Sequence, residues 1–507
     1  MKYKKSRYQI CQPIHSGVIL CTSGLSNRHI LLSSEIYTIY ERGDIEKLEK
    51  SFPKIFQRLK EGQFIVEKDV DEKKKALLKI ESNWEDKKMY QLIVNPTLDC
   101  NLSCWYCYEN RVAKSSVDEE TVRGIVKNIK SHFEVQPFTF LKLSFFGGEP
   151  FLKPLAIKTL VNEASLFCDS KSIKLLLDFT TNATVITKSL LEELRDHQCI
   201  FQITLDGNRE QHNKIKFTEN KSFDAYGATL KNIKRIQSAI NNSFIAIRIN
   251  FDEETLKGFD SILNDIDGLD RLKTKVILKK IWQVEDDKID KQLVYDIISR
   301  LFKHNFVVDY NSQMGPCFAD KKNEAVINFD GNVFKCTTIS TFNEQTAFGH
   351  LDNSTGKIIW KEKQIESLNS QQVKKECLDC AYFPTCGGPC KMKCLAEKNW
   401  TCSWLKDPDG LKQQARTQFE IEFIKSKIIK SYTNALDSIL HSYLGYANVL
   451  RKFEGTNRSE APCSYKRPET CKACRGQFTA FGHCREPRCH GIQRKDGNTA
   501  LRGRIRH

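Results

Sequence analysis

Between Met89 and about Ile281, short apolar runs alternate with longer stretches in which apolar residues return every three or four positions. The short runs read as strands: Tyr90–Asn95, Phe138–Phe146, Ile173–Phe179, Ile200–Leu205, Phe244–Asn250 and Lys275–Ile281. Helical patterns lie between them. The first is well marked, with Ser116 placed to cap it, Glu119 completing an S-x-x-E box, and Val122, Ile125, Val126, Ile129 and Phe133 on one stripe. Parallel strands need crossovers, so six such alternations predict an α/β fold whose sheet is covered by helices, curled into a partial (β/α)6 TIM-like barrel.

The flanks have other patterns. Residues 1–85 mix short apolar segments with charged ones and predict a small α+β module, closed by a charged helix over Asp71–Lys79. The barrel is expected over 86–300 and an irregular cysteine-bearing domain over 301–405. A helical segment follows over 406–453, where Phe419, Phe423, Ile424, Ile428, Tyr432, Leu436, Ile439, Leu440, Tyr443 and Leu444 recur at three and four. From 454 to 507 lysine and isoleucine give way to arginine, glycine, proline and cysteine, as in Cys471-Lys-Ala-Cys474 and the closing Arg502-Gly-Arg-Ile-Arg-His507. A disordered tail is the expectation there, against a zinc knuckle or a fused cysteine-rich peptide.

Composition narrows the setting. With 40% apolar and 28% charged residues in 507, the chain is globular and large enough for several domains. No apolar run approaches the roughly 18 residues of a membrane span, and the apolar patch after the basic N-terminus is broken too early for a secretory signal. A cytoplasmic protein is expected. Its 20 cysteines then read as reduced thiols available to metals rather than as disulfides. The formal charge of +16 is assigned to solvated helix faces, which makes a nucleic-acid partner unlikely.

The unusual residues follow the predicted strands. Cys100, Cys104 and Cys107 come after the first, Gly147-Gly148-Glu149-Pro150 after the second, Thr181-Asn182-Ala183-Thr184 after the third and Asp206-Gly207 after the fourth, while Arg248-Ile-Asn250 ends the fifth. Active sites of β/α barrels sit at that rim. Three thiolates leave one iron of a four-iron cube without a protein ligand, so a small molecule can bind there. A structural zinc needs a fourth ligand, and no His or Cys lies nearby.

Cys100-Asn-Leu-Ser-Cys104-Trp-Tyr-Cys107 resembles the cluster loop of the radical S-adenosylmethionine (SAM) superfamily. The resemblance implies a [4Fe-4S] cluster whose open iron chelates SAM, reductive cleavage to a 5′-deoxyadenosyl radical, and hydrogen abstraction from a substrate. It implies that Gly147, Gly148 and Glu149 hold the amino group of the methionine portion, that Asn182 lies near the ribose, although Ala183 stands where glycine is common, and that Arg248 reaches the carboxylate. A salt bridge on the barrel exterior is the alternative for Arg248. Trp105, Tyr106 and Tyr108 are expected to shield the cluster from water.

A second cysteine field resembles the SPASM extension: Cys317, Gly331 and Cys336, then Cys377-x2-Cys380-x5-Cys386-x3-Cys390, with Cys394 and Cys402 beyond. The resemblance implies two auxiliary [4Fe-4S] clusters, Cys317, Cys336 and Cys390 holding the nearer and Cys377, Cys380, Cys386 and Cys402 the farther. The nearer cluster then lacks an evident fourth ligand: Cys394 is a candidate for it or a replacement for Cys402, and an iron open to substrate is the third alternative. A zinc ribbon on Cys377, Cys380, Cys386 and Cys390 is the structural alternative.

The resemblance also implies a peptide or protein substrate with a leader sequence, captured by the N-terminal module as an added strand, and an electron donor such as flavodoxin or ferredoxin. A peptide maturase forming thioether or carbon–carbon crosslinks is expected. The rival within the class is an anaerobic sulfatase-maturing enzyme; such enzymes usually begin near the cluster loop and carry Asp where Thr337 follows Cys336. The rival outside it is a cysteine-rich, zinc- or nucleic-acid-binding protein.

Overall fold

In the computed structural model the described residues are 2–218, 223–284, 289–310, 317–371, 373–396, 402 and 408–433. The tail from 454 and the second half of the expected C-terminal helical segment lie outside them.

The N-terminal module opens with β1 (Tyr3–Lys5), β2 (Gln9–His15), β3 (Val18–Ser23) and β4 (His29–Ser33), then α1 (Ser34–Glu41), α2 (Ile45–Ser51) and α3 (Pro53–Glu61). Strand β5 (Ile65–Glu67) pairs antiparallel with β1, and β2, β3 and β4 form an antiparallel sheet in that order. Its apolar side buries Cys21, Leu32, Tyr40, Leu48 and Leu59 into one cluster. The charged helix α4 (Glu72–Trp84) is one turn longer than the expected Asp71–Lys79, because Ala76, Ile80 and Asn83 bury a continuous face.

The barrel follows as β6 (Met89–Asn95), a two-residue β7 (Ser103–Cys104), α5 (Glu119–Val135), β8 (Phe140–Phe145), α6 (Pro154–Lys171), β9 (Lys174–Thr181), α7 (Lys188–Glu193) and β10 (Gln198–Thr204). It continues through α8 (Arg209–Ile215), β11 (Lys216–Phe217), α9 (Ala225–Ala239), β12 (Asn242–Phe251), α10 (Glu253–Lys257), α11 (Phe259–Ile266), β13 (Thr274–Lys280), α12 (Lys291–Lys303) and β14 (Val307–Tyr310). All six expected strands are present, within two residues at each end. The cap of α5 differs: Asp118, not Ser116, accepts from the N–H of Thr121, while the Ser116 hydroxyl turns to the Val117 carbonyl. A carboxylate in the first turn satisfies the free N–H groups better than a hydroxyl two residues upstream.

The sheet runs β14-β13-β12-β10-β9-β8-β6 in parallel, so β14 adds a seventh parallel strand to the expected six. On the other side β15 (Glu324–Asn328) pairs parallel with β6, and β16 (Asn332–Phe334), β17 (Gly349–Asp352) and β18 (Lys357–Trp360) extend it antiparallel. Leu92, Leu143, Phe179, Phe201, Ile247, Leu278 and Val308 pack under the helices. With a period of two, the alternate positions face the lumen, and they mix apolar residues such as Ile93, Leu176 and Ile277 with the polar Gln91, Lys142, Asp178, Gln202, Arg248, Lys275, Lys279, Asp309 and Glu324.

The last part holds α13 (Glu362–Asn369), α14 (Lys375–Asp379), α15 (Phe383–Cys386), α16 (Lys391–Ala396) and α17 (Pro408–Thr433). The N-terminal module is fastened here. Tyr8 donates to the Leu378 carbonyl (2.7 Å), Arg7 and Lys73 both pair with Asp379 (2.5 and 2.6 Å), and Leu25, Ala76 and Ile80 share a core with Cys377 and Phe383. Helix α17 buries Gln414, Ala415, Gln418 and Ile421 and leaves Phe423 48% exposed. Of the expected apolar stripe, Phe419 is half-buried and edge-on to His29 while Phe423 is exposed, and the rest lies outside the residues whose side chains are described; Gln418 faces inward and donates to the Tyr382 hydroxyl at 2.7 Å.

Candidate active site

The cluster loop is set by its neighbours. Buried Leu98 and Leu102 anchor it, and Asp99 accepts from the N–H groups of Cys100 and Lys114 (both 2.9 Å). The Gly147-Gly148 turn lies directly against this loop: the N–H of Gly148 donates to Thr97 and that of Glu149 to Asp99. A Cβ at Gly147 or Gly148 would stand 2.3 or 2.2 Å from those same carbonyl oxygens, and Gly147 has φ +102°. Both glycines are thus required by contact with the segment that leads into Cys100.

Glu149 is fully buried. Its carboxylate accepts from the N–H of Phe151 (3.0 Å), the hydroxyl of Thr181 (2.7 Å) and the N–H of Asn182 (2.8 Å), stitching the turn after β8 to the turn after β9. Burial nevertheless pushes its carboxyl up to about 7. The side chain is occupied inside the protein, so the face of this motif turned to the loop is backbone. Asn182 continues the stitch, donating to Asn101 Oδ1 at 3.0 Å and lying 3.8 Å from Cys100 Sγ. Ala183 takes φ +54°, a conformation costing an L residue about 1–2 kcal/mol. Hydrogen bonds to Thr181 Oγ1 (2.8 Å) and from Asn232 (2.8 Å) hold it there.

Opposite this, Cys104 sits on β7, which pairs antiparallel with β11 so that Cys104 and Lys216 are register partners. Lys216 is 4% exposed and pairs at 3.2 Å with Asp206, which is 0% exposed. Asp206 also accepts from the N–H (2.9 Å) and amide (3.1 Å) of Asn250 and from the Tyr106 hydroxyl. Burial pushes Asp206 up, but Lys216, His212 and these hydrogen bonds outweigh it and hold the carboxyl below its usual range. For Lys216 burial likewise opposes the charge and Asp206 prevails, so the ammonium stays charged well above its usual range. Sequence reasoning marked Asp206 and Asn250 as rim residues and missed Lys216. Two paired two-residue strands more than a hundred residues apart leave no periodic trace.

The aromatic residues of the loop divide. Tyr106 is turned inward onto Asp206, Tyr108 donates to the Thr337 carbonyl at 3.2 Å, and Trp105 is 53% exposed. Its ring packs edge-on against Tyr106, and Trp282, 66% exposed, packs edge-on against Tyr108. Arg248 points into the lumen, not outward, with its Nε donating to Asn250 Oδ1 at 2.9 Å. Among the described residues it has no ion pair, so the exterior salt bridge does not form.

Cys100, Cys104 and Cys107 are free thiols, and burial raises all three, Cys100 to about 12. Such thiols are protonated without metal and must release protons to a metal that binds them. Nearby, both amide atoms of buried Asn95 and one buried oxygen of half-buried Glu109 lack hydrogen-bond partners among the described residues. Three thiols and orphaned polar atoms at one mouth fit a cluster that carries a polar small molecule.

The second cysteine field separates into two groups. Cys377, Cys380, Cys386 and Cys402 line one small cavity with Tyr382, Phe383, Gly388 and Pro389. The zinc-ribbon alternative needed Cys390 in that set, and the cavity holds Cys402 instead. Burial pushes Cys317 up to about 12, with Asp320, Cys336 and Cys390 adding to the rise, and Cys336 likewise feels Cys390. Cys394 also feels Cys390 and Asp320, after burial and Lys374. Among the described residues no three His, Cys, Asp or Glu side chains are close enough to hold a single metal ion.

Residues 94–266 match the radical SAM superfamily, and 317–381 match SPASM, an iron–sulfur cluster-binding domain. The chain carries a radical SAM domain followed by a SPASM domain. As a radical SAM enzyme it takes a [4Fe-4S] cluster and SAM, with further iron–sulfur binding in the SPASM region. It is 23% identical over 360 residues to a cysteine-type anaerobic sulfatase-maturating enzyme of Clostridium perfringens, spanning 62% of this chain and 94% of that one. A similar enzyme of Clostridium novyi is 25% identical over 350 residues, covering 60% and 88%. A solved structure of histidine-tagged anSMEcpe with bound AdoMet superposes with a TM-score of 0.50 at 16% identity, covering 71% of this radical SAM enzyme and 98% of that chain. No helix among the described residues is long and apolar enough to cross a membrane.

Proposed function

We propose that this radical SAM/SPASM enzyme modifies a ribosomally made peptide, installing a thioether or carbon–carbon crosslink or a related change. Its cluster and SAM, when bound at Cys100, Cys104 and Cys107, supply a 5′-deoxyadenosyl radical. The protein's part is positional. Gly147 and Gly148 fix the entry to the loop, Asp206 and Lys216 fix Tyr106 and Cys104, Arg248 takes the cofactor carboxylate, and Asn182 supports the ribose side. Two auxiliary clusters are proposed on the two cysteine groups of the SPASM region, with Cys394 beside the nearer.

The observation that carries the peptide reading is the N-terminal module. Strand β4 pairs only with β3, leaving one sheet edge without a strand among the described residues, whereas β2 is covered where Gln12 donates to the Lys412 carbonyl of α17 at 2.6 Å. An open edge supplies main-chain hydrogen bonds to an extended peptide. Fastening of the module to Leu378 and Asp379 would tether such a peptide beside the SPASM cysteines. Sulfatase maturation is the second reading, favoured by the relatives above and opposed by Thr337 after Cys336.

The test is anaerobic incubation with a reductant and SAM, following 5′-deoxyadenosine and the mass of two substrates: short peptides encoded beside the gene, and a sulfatase peptide carrying the target Cys or Ser. A mass change on the first supports the proposal. Formylglycine on the second alone establishes the rival, and cofactor cleavage by a variant with Cys100, Cys104 and Cys107 replaced by Ala would overturn the cluster assignment. Reconstituted protein should hold about twelve irons for three cubes.

A further inference from the structure

The lumen of the barrel shows a charge imbalance at one place. Three lumen carboxylates and one at the rim are matched by an ammonium: Asp178 by Lys142 at 2.8 Å, Asp309 by Lys275 at 3.3 Å, Glu324 by Lys335 at 3.3 Å and, at the rim, Asp206 by Lys216 at 3.2 Å. Among the described residues two lumen cations are left over. Arg248 on β12 and Lys279 on β13 have no carboxylate within ion-pair reach among the described residues.

They are also neighbours. In the parallel register Arg248 is opposite Ile277 and Asn250 is opposite Lys279, so the two cations are diagonal on one face. That face is the lumen, because Ile247, Ile249, Val276 and Leu278 point to the helices. Partial burial and the Arg248 guanidinium pull the Lys279 ammonium below its usual range, and Asp309 offsets only part of this. Two unmatched cations at one mouth are stabilised by anions from outside. The wall beside them is aromatic: Tyr108 feels the Glu109 charge and, less strongly, that of Arg248, and packs edge-on against Trp282.

SAM brings one carboxylate, and the reading above gives it to Arg248. We propose that Lys279 is a specificity-determining residue that pairs with a carboxylate of the substrate peptide, an Asp or Glu side chain placed close to the residue that is modified. Trp282 and Tyr108 then take an apolar neighbour of that acidic residue. This inference rests on the peptide reading.

Two measurements on the reconstituted full chain test it. Equilibrium dialysis with SAM alone distinguishes the source of the carboxylate: Lys279→Met should bind SAM within about twofold of wild type, whereas Arg248→Met should lose binding. If Lys279→Met loses SAM as Arg248→Met does, the carboxylate is the cofactor's and the inference falls. The second is panning of a randomised dodecapeptide library, displayed on its own mRNA, in the presence of SAM. Wild type should enrich an acidic residue at one position by about fivefold, the scale of one partly exposed ion pair. Lys279→Arg should keep that bias and Lys279→Met should lose it. Enriched peptides with no acidic bias, or with the same bias in Lys279→Met, overturn this inference while leaving the peptide reading standing. A wild-type library with no enriched peptide overturns both.

Discussion

Replacing Asp206 with Asn removes one charge from a buried pair and keeps the shape. In the native chain one carboxylate oxygen accepts twice from Asn250, and the other takes the Tyr106 hydroxyl and the Lys216 ammonium at 3.2 Å. The new amide group presents a donor to donors whichever way it is turned, and it leaves Lys216 charged at 4% exposure. Removing one partner of a buried pair costs about 3–5 kcal/mol. The cost should depend on pH with a definite sign. In wild type the depressed Asp206 contributes above its usual value near 3.9, and the raised Lys216 contributes until pH passes its usual value near 10.4, so the pair is level between them. In Asp206→Asn the buried ammonium has no counter-charge and falls below that value, so the deficit narrows as rising pH removes its proton. A chain of this length does not unfold in one step, so the measurement is hydrogen exchange of residues 98–110, 204–217 and 244–251 in metal-free protein. Exchange should quicken by roughly two to four decades at neutral pH, less at pH 9.5, and Lys216→Met added to Asp206→Asn should recover most of the loss. A deficit below about 1 kcal/mol, or one that does not change with pH, would refute the claim that this pair holds the loop.

Glu149 has its folded value raised to about 7 by burial, so the folded state holds its proton more tightly and stability falls as pH rises from about 4.3 to 7. Over that window Glu149→Gln should flatten the stability profile by roughly 4 kcal/mol, read as the pH dependence of hydrogen exchange in residues 147–152 and 179–184 of the metal-free protein, and an unchanged slope would contradict the raised carboxyl. In Gly148→Ala the new methyl lies 2.2 Å from the Asp99 carbonyl, so the loop must move. The expected result is a loss of about four of twelve irons with the SPASM domain still loaded, and full iron content would contradict the clamp. Cys402→Ser should lose the farther auxiliary cluster, while Cys394→Ser should disturb only the nearer one; the two clusters can be told apart by their electron paramagnetic resonance signals after reduction.

Much of this was legible because it is local. The six strands and the five rim insertions follow from apolar period and from glycine or cysteine placement, both of which are written within a few residues. Ser116 misled because the box pattern is satisfied by several frames, and the frame with Asp118 at the cap places a charge on the helix N-terminus. The inward turn of Gln418 on α17, which donates to Tyr382, is a polar contact that no hydropathy pattern encodes. What could not be read is long-range pairing. Lys216 is an ordinary lysine in HNKIKF until β7 and β11 meet, and Lys279 gains meaning only when Lys142, Lys275 and Lys335 are matched to their carboxylates and Arg248 is set diagonally beside it.

The same contrast bears on function. The thiols say what chemistry is carried, since three ligands on one loop suit an open iron, but they are common to enzymes with different substrates. Selectivity has to come from residues that the chemistry does not fix. On the proposed peptide reading these are the edge of β4, the aromatic wall of Trp282 and Tyr108, and the charge at Lys279. The first would capture a peptide outside the barrel and the others would read it inside, so a substrate must satisfy both an edge and a lumen. A variant altered at Lys279 should therefore misplace a peptide that β4 still holds, leaving binding to the N-terminal module intact while modification shifts or fails.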